Sequence, residues 1–131
     1  MFALEHIDGI HERLGDARTL YQYVQALREL GVGRYDSYVE DGHSEYFGRD
    51  GHSVTTDAAH QTLHIANISN RDGLAQQLSL HKQGKTSYIE MSRGLAQSGV
   101  ERWTVDTHEM TLTFYDRSGT ALMVEVILPG S

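Results

Sequence analysis

Residues Gly99 to Leu128 read Gly-Val-Glu-Arg-Trp-Thr-Val-Asp-Thr-His-Glu-Met-Thr-Leu-Thr-Phe-Tyr-Asp-Arg-Ser-Gly-Thr-Ala-Leu-Met-Val-Glu-Val-Ile-Leu. Trp103 and Val105 alternate with Thr104 and Asp106. Met110, Leu112 and Phe114 alternate with Thr111, Thr113 and Tyr115. Leu122, Val124, Val126 and Leu128 repeat the pattern. Period-two alternation rich in β-branched and aromatic residues specifies strands. Asp116-Arg117-Ser118-Gly119 supplies a turn between two of them. The stretch therefore predicts a three-stranded antiparallel meander.

Working outward, Arg34 to Glu40 alternates too, with Tyr35, Ser37 and Val39 on one face. Asp41-Gly42 is a hairpin signal, and His43 to Phe47 returns. A two-residue loop would pair Val39 with Ser44 and Ser37 with Tyr46. Ser53 to Thr56 and Thr62 to Ala66 read as further short strands. The remaining periodicity is helical. Ala3, Ile7, Ile10 and Leu14 make one stripe, interrupted by Gly9. Leu20, Val24, Leu27 and Leu30 make the next, with Asp16 as expected N-cap and Gly31 at the C-terminal end. Asn70 to Gln83 is a third helix, with Leu74, Leu78 and His81 on one stripe. Ser87-x-x-Glu90 is a capping-box pattern opening a fourth, whose Tyr88, Met91 and Leu95 face inward and whose C-cap is Gly99. The expected fold is α+β: two helical hairpins packed on an antiparallel sheet of about six strands.

The two halves look alike. Gly31-Val32-x-Arg34-Tyr35 matches Gly99-Val100-x-Arg102-Trp103 at an offset of 68 residues, and Arg49-x-Gly51 matches Arg117-x-Gly119 at the same offset. The chain is thus expected to form a single domain over 1–131, with an internal αα-βββ duplication whose halves are 1–68 and 69–131.

Composition narrows the function classes. Apolar residues make up 39%, enough for a core. The net charge of −7 disfavours nucleic acid or an anionic membrane as partner. Cysteine is absent, so neither disulfide nor thiolate chemistry is available. Acid near the N-terminus and the lack of long apolar runs predict no signal peptide and no membrane span. A soluble, cytoplasmic protein is the expectation.

Several motifs together resemble a small bacterial family of unknown function, often labelled "phage envelope protein". They are Gly31-Val32-x-Arg34-Tyr35, Asp41-Gly42-His43, Tyr46-Phe47-Gly48, Gln83-Gly84-Lys85-Thr86-x-Tyr88 and Gly99-Val100-Glu101-Arg102-Trp103-x-Val105-Asp106. The ending Met110-Thr111-x-Thr113-x-Tyr115-Asp116, Val124-Glu125 and Pro129 adds to them. The resemblance implies a one-domain bacterial α+β protein. It implies no activity and carries no functional residue with it.

The chemistry-bearing residues are sparse. Among eight histidines, His60 and His64 are spaced for one helix face, yet Leu63 and Ile65 put them in a strand pattern. Neither a metal site nor a cofactor is expected. His43 beside Asp41 and Glu45 could act as a general base oriented by a carboxylate, although turn geometry alone explains the Asp-Gly pair. Trp103, Tyr35 and Tyr46 are expected in the core, while Tyr38 and Tyr88 are candidates to line a ligand groove. The leading functional expectation is a non-catalytic binding or protein-interaction module, a homodimer acting in bacterial regulation or stress. The alternatives are a hydrolase-like enzyme using the His43 pair and a small-molecule binder with a pocket between the halves. The dimer is expected through the Ala121–Leu128 strand, whose two faces are both apolar except at Glu125.

Overall fold

The computed structural model describes residues 2–14 and 19–129. In chain order the elements are α1 (Leu4–Leu14), α2 (Leu20–Leu30), β1 (Val32–Tyr38), β2 (Ser44–Gly48), β3 (Ser53–Thr55), α3 (Arg71–Lys82), α4 (Tyr88–Gln97), β4 (Arg102–Asp106), β5 (Thr111–Tyr115) and β6 (Ala121–Val126). The strands form one antiparallel sheet in the order β3-β2-β1-β4-β5-β6. The helices pair α1 with α2 and α3 with α4. The α+β architecture is the one the periodicities predict.

Local chemistry sets the helix ends. Asn70 accepts from the Gly73 N–H at 2.9 Å to start α3. At α4 the Ser87 hydroxyl accepts from the Glu90 N–H while the Glu90 carboxylate accepts from the Ser87 N–H, a complete capping box. The predicted N-cap Asp16 lies outside the described residues, and Thr19 holds that position for α2. Gly31 ends α2 in the left-handed region at φ 109°.

The same backbone geometry recurs 68 residues apart, the separation of Asp36 and Thr104, which face each other at the centre of the β1–β4 pair. Tyr35 pairs with Tyr46 in the first unit, and Trp103 with Phe114 in the second. The Val39 N–H donates to the Glu101 carbonyl, and the Thr107 N–H donates to that of Gly33. Gly42 has φ 79° in the first hairpin loop, and its counterpart Met110 has φ 54°. Met110 keeps a conformation that costs a side-chain-bearing residue about 1 kcal/mol, so the loop geometry, and not the local residue, sets the backbone there.

Both helical pairs lie on one face of the sheet. Ile7, Ile10, Tyr23, Val24 and Leu27 pack with Tyr35, Tyr46 and Val105. Leu74, Leu78, Met91 and Leu95 pack with Val39, Phe114 and Leu122. Trp103 and Leu112 are only partly buried and touch both clusters. Trp103 is therefore not the enclosed core residue that its alternation predicts.

Three further expectations are corrected. The first hairpin pairs Ser37 with Ser44 and Tyr35 with Tyr46. Its loop is longer than two residues because Tyr38 and His43 close it, with the Tyr38 N–H donating to the His43 carbonyl. The slip is two residues, so parity survives and Tyr35, Val39 and Tyr46 still share the helix side. Residues 62–66 form no strand; the Leu63 and Ala66 N–H groups donate singly to the Glu40 and Ala96 carbonyls. In β6 the register shift between Phe114 and Tyr115 breaks the predicted stripe. Leu122 and Met123 both turn toward the helices, whereas Val124 and Val126 are 60% and 64% exposed.

Gly9 sits in mid-α1 at negative φ, and a Cβ added there meets nothing within 4 Å. Gly9→Ala should therefore raise stability by about 0.5–1 kcal/mol, read from the urea midpoint. An unchanged or lowered midpoint would mean that α1 is not helical at this residue.

Candidate functional site

Because the two helical pairs stand side by side on one face, a cleft of about 670 Å³ opens between them above the central strands. Its floor is Tyr35 and Ser37 of β1, Ser44 and Tyr46 of β2, Trp103 of β4, and Leu112 and Phe114 of β5. One wall carries Ile7, Leu20 and Tyr23; the other carries Leu78, Tyr88, Met91 and Leu95. The lining is mainly apolar and aromatic, and the volume falls in the range of roughly 300–1,000 Å³ typical of small-molecule sites.

The polar groups inside the cleft are hydroxyls. The Tyr23 and Tyr46 phenols share a buried hydrogen bond at 3.1 Å, and the Ser37 and Ser44 hydroxyls share one at 2.7 Å. Ser44 also neighbours the Tyr46 phenol as a hydrogen-bonding partner. The Tyr35 ring stacks on Tyr46 at 5.0 Å and meets Tyr23 edge-on at 6.2 Å. Burial is the largest cause raising the pKa of all three phenols; neighbouring phenols add to it at Tyr23 and Tyr35. Charged groups sit toward the edge: Asp8 and His11 from α1, Asp57, and His81 and Lys82 from α3. The Lys82 ammonium donates to both carboxylate oxygens of Glu125, at 3.1 and 3.0 Å.

Of the candidates named from sequence, only Tyr88 lines this cleft, and at 43% exposure it stands at the rim and not in the interior. Tyr38 is on the opposite, open face of the sheet with Arg34, Asp36, Arg102 and Thr104. His43 does meet Asp41: its Nδ1–H donates to the carboxylate at 2.5 Å. The His43 ring stacks on Tyr38 at 4.4 Å. Burial pushes the Asp41 carboxyl up, but hydrogen bonds from His43 outweigh it and the net shift is downward. Glu45 is not part of this pair; it lies in β2 opposite Asp36. Among the described residues the side-chain hydrogen-bond partner of the His43 ring is Asp41, which orients the imidazole. His64 is exposed and His60 half-buried, and no group of three or more metal-ligating side chains forms among the described residues.

The hydroxyls of Tyr23, Ser37, Ser44 and Tyr46 were missed by the sequence reading. Their signal is present: alternation puts two serines on the face that also carries Tyr35 and Tyr46. Small polar residues on a core face mark either a buried network or a lined cavity.

Fold and cleft together define an α+β protein built of two αα-βββ units on a shared sheet. The chain belongs to the family described as Protein of unknown function (DUF1398), which it matches over residues 8–126. No curated protein matches it. Among the described residues no helix is long and apolar enough to cross a membrane.

The raised phenol pKa values have a signed consequence. Above the ordinary value of 10.0 the unfolded chain releases phenolic protons that the fold retains. Stability should therefore be unaffected by these groups below pH 10 and fall as pH rises beyond it. In a native spectrophotometric titration, Tyr23 and Tyr35 should remain protonated at about pH 11. Full ionisation of all tyrosines before unfolding would show that the cleft floor is open to water.

Proposed function

We propose that this protein binds a small molecule in the cleft between its two helical pairs. The observation that carries this reading is the floor itself. Trp103 and Leu112 touch both core clusters yet remain only partly buried, because the helices above them are held apart. Leaving such side chains half-wetted forgoes roughly 25 cal/mol per Å² of hydrophobic stabilisation, which a bound apolar ligand would recover. A hydrolytic role for His43 has no comparable support, since its pair with Asp41 lies outside the cleft lining.

The neutral fluorophore 1-aminoanthracene tests the reading. It should bind saturably, one per chain, with its emission enhanced and the fluorescence of Trp103, the sole tryptophan, quenched. Leu112→Trp, which fills the floor, should abolish binding without unfolding the protein. Absence of saturable binding, or binding indifferent to Leu112→Trp, would overturn it.

A second reading concerns self-association. β6 is an edge strand, and its exposed Val124, Val126 and Leu128 support pairing with a second copy. One end of that edge is already occupied, since the Arg71 guanidinium donates to the Leu122 carbonyl at 3.1 Å. Sedimentation at micromolar concentration should show a dimer that Val124→Lys dissociates; a wild-type monomer would refute it.

A further inference from the structure

We infer that the ligand of this cleft is an uncharged, largely apolar molecule carrying one hydroxyl or carbonyl group. Its polar group would lie against the hydroxyls of Tyr46 and Ser44, and its body against Met91, Leu112 and Phe114. The inference rests on the cleft being a ligand site, and it comes from comparing the two units position by position.

The backbone repeats at an offset of 68, so each lining residue of the first unit has a counterpart in the second. The aromatic floor is kept, with Tyr35 answered by Trp103. The hydroxyls are not kept. Tyr23 is answered by Met91, Ser37 by Val105, Ser44 by Leu112 and Tyr46 by Phe114. At each of these positions the first unit presents a hydroxyl and the second a hydrocarbon or thioether. Tyr88, opposite Leu20, runs the other way, but it is the exposed residue at the rim. The framework is close to twofold, while the floor within it is rich in hydroxyls on one side and mainly hydrocarbon, with the Trp103 indole, on the other. A symmetric apolar guest would have no use for that difference.

The hydroxyl side is equipped for a polar group. A chain of linked hydroxyls carries one more O–H donor than it has links, so one donor remains for a ligand oxygen. Its oxygens also retain lone pairs that can accept from a ligand hydroxyl. The phenols stay protonated because they are buried, so they present neutral donors and acceptors. The charged groups of the lining stand at its edge and are paired or exposed: Lys82 and Glu125 neutralise each other, Asp8, His11 and Asp57 are exposed, and the half-buried His81 is held through Nδ1 by the Thr86 carbonyl. Burying an unpaired ion against this floor would cost several kcal/mol, which leaves a neutral guest.

Competition against 1-aminoanthracene separates this inference from the reading beneath it. The competitors are naphthalene, 2-naphthol and 2-naphthoate at neutral pH. They share one ring system and differ in bearing no polar group, a neutral hydroxyl or a carboxylate. One added hydrogen bond predicts that 2-naphthol displaces the probe at a concentration up to about tenfold lower than naphthalene does. 2-Naphthoate should be the weakest. Ser44→Ala and Tyr46→Phe should each bring 2-naphthol toward naphthalene, and Phe114→Leu should weaken both alike. Circular dichroism checks that each variant is folded, and Ser44→Ala decides alone if Tyr46→Phe is not. Equal displacement by naphthalene and 2-naphthol, or a preference that survives Ser44→Ala, overturns the ligand class while leaving the cleft as a site. A preference for 2-naphthoate overturns the requirement for neutrality. Failure of every compound to bind, 1-aminoanthracene included, overturns both.

Discussion

The rest of the structure depends on one pairing, that of β1 with β4. These strands run antiparallel through the middle of the sheet, with Asp36 opposite Thr104 and the Thr104 hydroxyl donating to the Asp36 carboxylate at 2.6 Å. The side-chain period of a strand is two, so this register places Tyr35, Ser37, Trp103 and Val105 on one face together. Each helical hairpin follows the face that its own strands make apolar. A slip of one residue between β1 and β4 would send the two helical pairs to opposite faces. The chain would then have two separate cores and no cleft.

Seen this way, the cleft is a consequence of joining two units edge to edge. Each hairpin covers its own half of the sheet, and neither covers the seam. Trp103 and Leu112 lie at that seam. On the far side the seam is crossed by the Thr104–Asp36 hydrogen bond, and each unit carries its own cation–π pair. Arg34 sits over the Phe47 ring at 4.2 Å, and Arg102 over Tyr115 at 4.1 Å, one such pair in each unit. These cation–π contacts hold long side chains flat against the open face, where solvent replaces a second helical layer.

Repetition of a backbone leaves its side chains free to diverge. Gly31 and Gly99 both end a helix in the left-handed region, and Arg34 and Arg102 both cross an aromatic ring. Those positions serve the frame. Ser44 and Leu112, or Tyr46 and Phe114, serve the space the frame encloses, and there the units differ. At Gly42 and Met110 the frame prevails over the residue, since a methionine holds the positive φ that its counterpart glycine adopts freely.

The sequence by itself determined most of the architecture, because architecture here is written in short-range chemistry. Alternation from Trp103 to Val126 made strands, the Ser87–Glu90 spacing made a capping box, and Gly31 ended a helix. It also brought His43 to Asp41, two residues apart in one turn. What it could not determine were relations set by distant partners. The length of the first hairpin loop depended on Val39 leaving β2 to bond Glu101 across the sheet. The facing of β6 depended on a shift opposite Phe114 and Tyr115. The cleft depended on where two helical pairs stop short of each other, a distance that no periodicity encodes. Trp103 therefore looked like core, and Tyr23, Ser37, Ser44 and Tyr46 did not look like a group. Only the tertiary structure, by closing residues 23 to 46 around one buried set of hydroxyls, made them one.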